Sequence, residues 1–328
     1  AANVTDLRLL QQRARAFVLD QMVAPASLEW LARFVDFVDT AILARIGHLT
    51  GLPDGDFCWC FYGASGRQES LVSAAPSTMV ILSDPAQHGP FAAWYARVQD
   101  ALTECDYLPV ADSEFDARAS CASVAEWMDR FGNWVKNPVM SEMYRARTLF
   151  DLRPVYGQKS LWRQVEEGVK TDICQKKQFL HLLANDCMAC LPPLTFFQDM
   201  VVEESGEHAA LFHLERNALR PLVAVGRVFG IAAGRVPGGS VLGGSTLQRF
   251  ALARTLLPEH ESVFRQAAET LAVLLYQQAR AGIRQHSDGA ELQPALLSRH
   301  DRQILKSGFR SILGLIQFTT DLKWLEAL

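Results

Sequence analysis

Gly63-Ala64-Ser65-Gly66-Arg67, with Glu69 two places further on, reads as a turn built to grip an anion. Two glycines allow close backbone approach, and a turn that opens a helix leaves N–H groups without intrahelical partners. Ser65 adds a hydroxyl and Arg67 a charge-assisted donor, a set suited to phosphate oxygens. An apolar run, Phe57–Tyr62, leads into the turn, and a second, Met79–Leu82, follows after a short polar interval. The order predicts a strand, a turn opening a helix, and a second strand.

This layout resembles the nucleotidyltransferases of the DNA polymerase beta type. More closely, the chain is similar to the bacterial nucleotidyltransferase family related to protein-PII uridylyltransferase, whose members often follow cyclic-nucleotide-binding and CBS sensor modules. That family's pattern reads approximately G-S-x-G-R-x-E-x-x-x-x-x-D-x-D and is met here by Gly63, Gly66, Arg67 and Glu69. Ser65 stands one place beyond the family's serine, where this chain has Ala64. Phe150-Asp151-Leu152-Arg153 with Gly157 resembles F-D-x-R-x-x-x-G, and Pro221 through Arg227 resembles P-x-x-x-x-x-R. Ser245-Thr246 with Arg249 resembles S-T-x-x-R, and Leu297-Ser298 with Leu305-Lys306 resembles the closing helix. The likeness therefore covers nearly the whole chain, although only the Gly/Arg/Glu segment is chemically specific.

The resemblance implies a triphosphate held on the turn by Gly63, Ser65, Gly66, Arg67 and Glu69, and magnesium held by the two aspartates. Twelve and fourteen residues beyond Gly63, where the family has those aspartates, stand Ala75 and Ser77. Residues i and i+2 of a strand project from one face, so carboxylates at that spacing reach one ion. Ala offers no donor atom and Ser only a weak neutral oxygen. Asp84 lies past the strand end and reads as a turn residue. The family's Cys- and Gly-containing segment is also replaced, by Val110–Cys121, with Trp127 and Trp134 as the markers that survive after it.

The expectation is a catalytically inactive pseudoenzyme of nucleotidyltransferase fold with a regulatory or partner-binding role. No catalytic residue, metal site or cofactor is expected. Two alternatives stay open: an active enzyme moving a nucleoside monophosphate from a nucleoside triphosphate to a protein with magnesium, and a nucleotide-sensing module. A protein partner, a weakly bound nucleotide and a homodimer by family analogy are the expected associations.

The chain has 328 residues, 49% of them hydrophobic and 21% charged, enough for a sizeable core. Net charge is −4 with both signs interspersed, which speaks against nucleic acid as a partner. No apolar run approaches the ~18–20 residues of a membrane-spanning helix, and no secretory signal opens the chain. Ala1 in place of Met predicts a fragment or processed product. Seven scattered cysteines predict a reducing cytoplasm. Cys58 and Cys60 read as small core residues. Cys174, His181, Cys187 and Cys190 read as helical, without the turn that a zinc-binding Cys pair needs.

The fold class expected is α+β: a small mixed sheet in residues 51–150, N-terminal helices over 1–50, and a mainly helical bundle over 151–328. Helices are predicted over Val4–Met22, Ser27–Leu49, Pro90–Glu104, Gln158–Val169, Asp172–Ala189, His208–Ala233, Thr246–Leu256, Glu259–Ala281 and Ser298–Lys323. Strands are predicted over Phe57–Tyr62, Thr78–Leu82 and Tyr107–Val110. Gly234–Gly244 reads as an interhelical loop rather than a phosphate loop. Trp127, Phe131 and Trp134 read as core, and His48, His181, His208, His213 and His260 as surface or satisfied core residues.

Overall fold

A computed structural model of the protein describes residues 3–71, 74–108, 119–137, 146–190, 212–292, 299–321 and 323–326. Two helices, α1 (Val4–Gln21) and α2 (Leu28–Leu49), form an antiparallel hairpin that leads to strand β1 (Phe57–Phe61). A single helical turn, α3 (Gly63–Gly66), separates β1 from β2 (Thr78–Leu82). Helix α4 (His88–Glu104), strand β3 (Cys121–Ser123), helix α5 (Val124–Lys136) and strand β4 (Arg153–Gly157) complete the sheet region. The four strands lie in the order β3-β2-β1-β4. β1 is antiparallel to both β2 and β4, whereas β2 and β3 run parallel. The sheet is small and mixed, and the fold is α+β.

Alternation along the strands explains the layering. Phe57, Trp59 and Phe61 with Val80 and Leu82 face one apolar cluster, shared with Leu7 of α1, Ile42 and Ile46 of α2, and Trp94 of α4. Cys58 and Cys60 with Met79 and Ile81 face the other, shared with Trp127 and Phe131 of α5 and with the C-terminal helices. Both cysteines are fully buried, small enough for helices to pack closely over that face.

Beyond the sheet come α6 (Lys159–Gln175), α7 (Lys177–Asp186), the short strand β5 (Phe212–His213), α8 (Arg220–Gly234), α9 (Thr246–Leu256), α10 (Glu261–Gln285), strand β6 (Glu291–Leu292), α11 (Arg299–Thr320) and α12 (Lys323–Glu326). Phe264, Leu271, Leu274 and Leu275 of α10 face the same core as α8 and α9. Among the described residues no helix is long and apolar enough to cross a membrane.

Several expected elements differ. Of the described residues of the predicted strand Tyr107–Val110, Leu108 forms a single bridge to Ala74 and Tyr107 is not in a strand; Pro109 and Val110 lie outside the described residues. The third strand is instead Cys121–Ser123, three residues whose pairing with β2 is long-range and leaves no local pattern. β4 lies past the expected boundary at residue 150. Its Pro154 argues against a strand, yet at the edge of a sheet the missing N–H costs nothing. Helix α6 runs unbroken through the predicted gap after Val169 and ends at Gln175. The first residues of the predicted helix His208–Ala233 lie outside the described residues, and Phe212–His213 pairs as a strand with Glu291–Leu292. Helical backbone nonetheless runs over most of the predicted span, as a π-helical turn over Glu215–Leu219 that leads directly into α8 at Arg220, and Pro221 sits at that junction of the two hydrogen-bond patterns. The Gly234–Gly244 segment is a loop, pinned where the Lys170 ammonium donates to the carbonyls of Val236 at 2.8 Å and Gly239 at 2.6 Å.

Candidate functional site

The turn after β1 forms as the sequence implies. Tyr62 is extended, Gly63 takes φ +59°, and the amides of Gly66 and Arg67 donate to the carbonyls of Tyr62 at 3.1 Å and Gly63 at 3.0 Å. Gly66 is required by contact: a Cβ there would stand 2.1 Å from the Asp151 carbonyl oxygen. Gln68 follows at φ +58°, and the Glu69 amide donates back to Ala64.

Arg67 and Glu69 point into the protein. Both are 8% exposed. The Arg67 guanidinium donates through Nε to Glu69 Oε2 and through Nη1 to Asp151 Oδ2, each at 2.6 Å. The other oxygen of Glu69 accepts the backbone N–H of Thr246 at 2.6 Å, at the first turn of α9. That carboxylate caps a helix from the far half of the chain, where an anion is favoured. Ser245 fills the remaining cap by a reciprocal bond with Gln248.

Asp151 is the centre of the cluster and is fully buried. Besides Arg67 it accepts from Arg227 Nη2 of α8 at 2.7 Å and pairs with Arg249 Nη1 of α9 at 2.6 Å. Burial alone would raise its carboxyl, but Arg227, Arg249 and Arg67 outweigh that and hold it well below the usual carboxylate range. The same balance works on the cations. Burial would lower Arg67, and Glu69 and Asp151 reverse it. For Arg249 burial prevails over Asp151, with Arg227 adding repulsion, and its affinity for a proton is lowered.

Arg153 fastens the turn from its other side. Its Nε donates to the Gly66 carbonyl at 3.1 Å, one Nη to the Ser65 carbonyl at 3.3 Å, and the same Nη to Asp36 of α2. Gln68 also donates to Asp36, at 2.8 Å. Four sequence-matched segments thus converge at one place: the Gly63–Glu69 turn, Phe150–Arg153, the end of Pro221–Arg227, and Ser245–Arg249. The roles of Asp151, Arg227 and Arg249 were not assigned from sequence. Their signal was the motif match itself, since charged residues at nominally helical positions mark either a surface or a buried pair.

Ala75 and Ser77 stand in the approach to β2, which begins at Thr78, rather than within the strand. The Ala75 amide donates to Leu108 at 2.8 Å, and the Ser77 carbonyl accepts from Tyr62 at 3.0 Å, beside the opening of the turn. Ala75 is 9% exposed and packs in the cluster that holds Phe61 and Trp59. Asp84 caps the short turn Pro85–Gln87 by accepting from Ala86 at 2.9 Å. Cys187 is buried with its thiol toward the Leu183 carbonyl, and Cys174 is exposed. Trp127 and Phe131 are core, the indole of Trp127 donating to Val80 at 3.1 Å. Among the described residues no three His, Cys, Asp or Glu side chains are placed to hold one metal ion. Of the expected replaced segment, residues 110–118 lie outside the described residues.

Residues 5–141 match the family described as "Putative nucleotidyltransferase DUF294". Residues 177–321 match the one described as "Putative nucleotidyltransferase substrate binding domain". No curated protein matches the chain.

Proposed function

The chain belongs to the DUF294 nucleotidyltransferase family, and from that premise we propose that it is a member without transfer activity, acting as a regulator through a protein partner. One observation carries the reading. The positions that should carry two carboxylates hold a core-packed Ala75 and a neutral Ser77, while the carboxylate of the turn itself, Glu69, has both oxygens engaged, by Arg67 and Thr246. A divalent ion facing a triphosphate wants anionic oxygen donors. Among the described residues, the donor set at these positions does not fit magnesium.

Arg67 is likewise committed. Its charge is spent on two buried carboxylates, so the turn would hold phosphate by backbone N–H groups and the Ser65 hydroxyl. This favours a weakly held, less highly charged nucleotide over a triphosphate. A cytoplasmic setting and a protein partner complete the reading.

A second reading, nucleotide sensing, draws on the ion cluster: α8 and α9 are fixed to the turn through Asp151 and Glu69, so a ligand that shifts the turn is felt in the helical half. It requires different affinities for two states. Titration calorimetry with ATP, UTP, AMP and cyclic nucleotides, with and without magnesium, separates the two. Heat from one of them, with a change in α8–α9 hydrogen exchange, favours sensing. Incubation with labelled nucleoside triphosphates, magnesium or manganese, and lysate tests the main reading. Metal-dependent transfer of label to a protein overturns it.

A further inference from the structure

The α1–α2 hairpin leaves a stripe of aromatic side chains, Phe17, Trp30 and Phe37, exposed beside Phe34, which is partly buried against both cores. Phe17 of α1 packs on Trp30 and Phe34 of α2, with ring centroids 6.2 and 5.0 Å apart. Trp30, Phe34 and Phe37 follow at helical spacing along one flank of α2, and Leu10 stands two turns before Phe17 on α1. Phe37 is 72% exposed, with Phe17 at 42% and Trp30 at 44%. Phe17, Trp30 and Phe37 stand outside the two cores, one entered by Leu31 and the other by Val38 and Ile42 of the same helix.

We propose that this stripe is the interface of a homodimer formed by two copies of the chain about a two-fold axis near Phe17. The inference is independent of whether the turn after β1 transfers, binds or ignores nucleotides. Two arguments select a second copy as the occupant. The first is area. Aromatic side chains carry about 150–250 Å² each, so Phe17, Trp30 and Phe37 alone expose roughly 240–400 Å². With Leu10, Phe34, Val23 and a polar rim, each copy approaches the ~800 Å² per partner of a stable interface. The second is charge. Arg13 lies one turn before Phe17 and Asp20 one turn after it, both exposed on α1. A two-fold axis through Phe17 sets Arg13 of each copy against Asp20 of the other, so the patch is complementary to itself. An apolar centre with opposite charges at its edges is the anatomy of an isologous interface.

Analytical ultracentrifugation of the whole chain over a micromolar concentration series tests this. A dimer is expected. Phe37→Glu should weaken it by about 10³-fold, because a two-fold interface carries each substitution twice and a buried aromatic anchor is worth about 30-fold per copy. Phe37 is exposed, so far-ultraviolet circular dichroism should be unchanged. Arg13→Asp should weaken the dimer, and adding Asp20→Arg should restore it. A monomer throughout the series overturns the proposal. So does a dimer that Phe37→Glu leaves intact, or one that the charge reversal does not rescue.

Discussion

Arg67 and Asp151 stand 84 residues apart in the chain and meet in the interior at 2.6 Å. One belongs to the phosphate-type turn of the sheet region and the other to the segment just before β4. Through Asp151 the turn is tied to Arg227 of α8 and Arg249 of α9, and through Glu69 to the first turn of α9. The motif residues that suggest ligand binding in the sequence are also what joins the two halves of the fold.

Asp151→Asn should be among the most damaging conservative changes in the chain. It keeps size and removes the charge that offsets three buried guanidinium groups. Breaking a buried ion cluster at one member costs about 3–5 kcal/mol, because the partners stay buried and unpaired. Urea denaturation at neutral pH measures it. The depressed carboxyl also fixes an acid dependence. The stabilisation from Asp151 is complete above the unfolded carboxylate value of about 3.9 and is lost as pH falls below it toward the lower folded value. The Asn variant should lack that part of the acid sensitivity.

Glu69→Ala and Glu69→Gln should differ in a way that separates its two contacts. Gln keeps an acceptor for the Thr246 N–H and loses the charge opposite Arg67. Ala loses both. We expect a loss of about 2–4 kcal/mol for Ala and roughly half of that for Gln. Hydrogen exchange at the first turn of α9 should rise in the Ala variant and stay near the parental level in the Gln variant.

How far the sequence revealed this depends on the range of each interaction. α1, α2 and β1 were legible because hydrophobic periodicity is local. β3 was not, since three residues beside β2 gain their conformation from a parallel neighbour some forty positions away. β4 was hidden by Pro154, whose effect depends on lying at a sheet edge. At the site, Gly66 and Arg67 were legible as special residues, but their purpose was not. A buried arginine and a phosphate-binding one read alike until the contacts of Asp151 are seen.

Asp39 on α2 gives a pH dependence of opposite sign. Burial raises its carboxyl to about 7, against the Tyr107 hydroxyl bond and Arg15, which lower it, and with Asp36 adding to the rise. The folded state therefore holds a proton that the unfolded state releases near pH 4. Stability falls as pH rises from about 4 to 7 and is level above. The side chain retains some solvent contact, so the effect is on the order of 1 kcal/mol. Asp39→Asn should flatten this slope and be the more stable protein at pH 8, as read from urea midpoints at pH 5 and pH 8.

The sharpest prediction concerns the two positions before β2. Ser77 lies beside the turn with its carbonyl on the Tyr62 amide, and Ala75 is two residues earlier, packed in the core. Ser77→Asp alone should be tolerated within about 1 kcal/mol, because the position is half-exposed. Adding Ala75→Asp places a carboxylate in apolar surroundings without a partner, at a cost of about 1–3 kcal/mol in metal-free buffer. If the pair restores an ion site, manganese with a nucleotide analogue binds only the folded state and should recover much of that loss. Thermal denaturation with manganese, with analogue, and with both measures it. The double variant should rise in Tm only when both are present, and the parental protein should not respond. An equal rise in the parental protein would mean that a working ion site exists without these carboxylates, and the proposal of an inactive family member would fall.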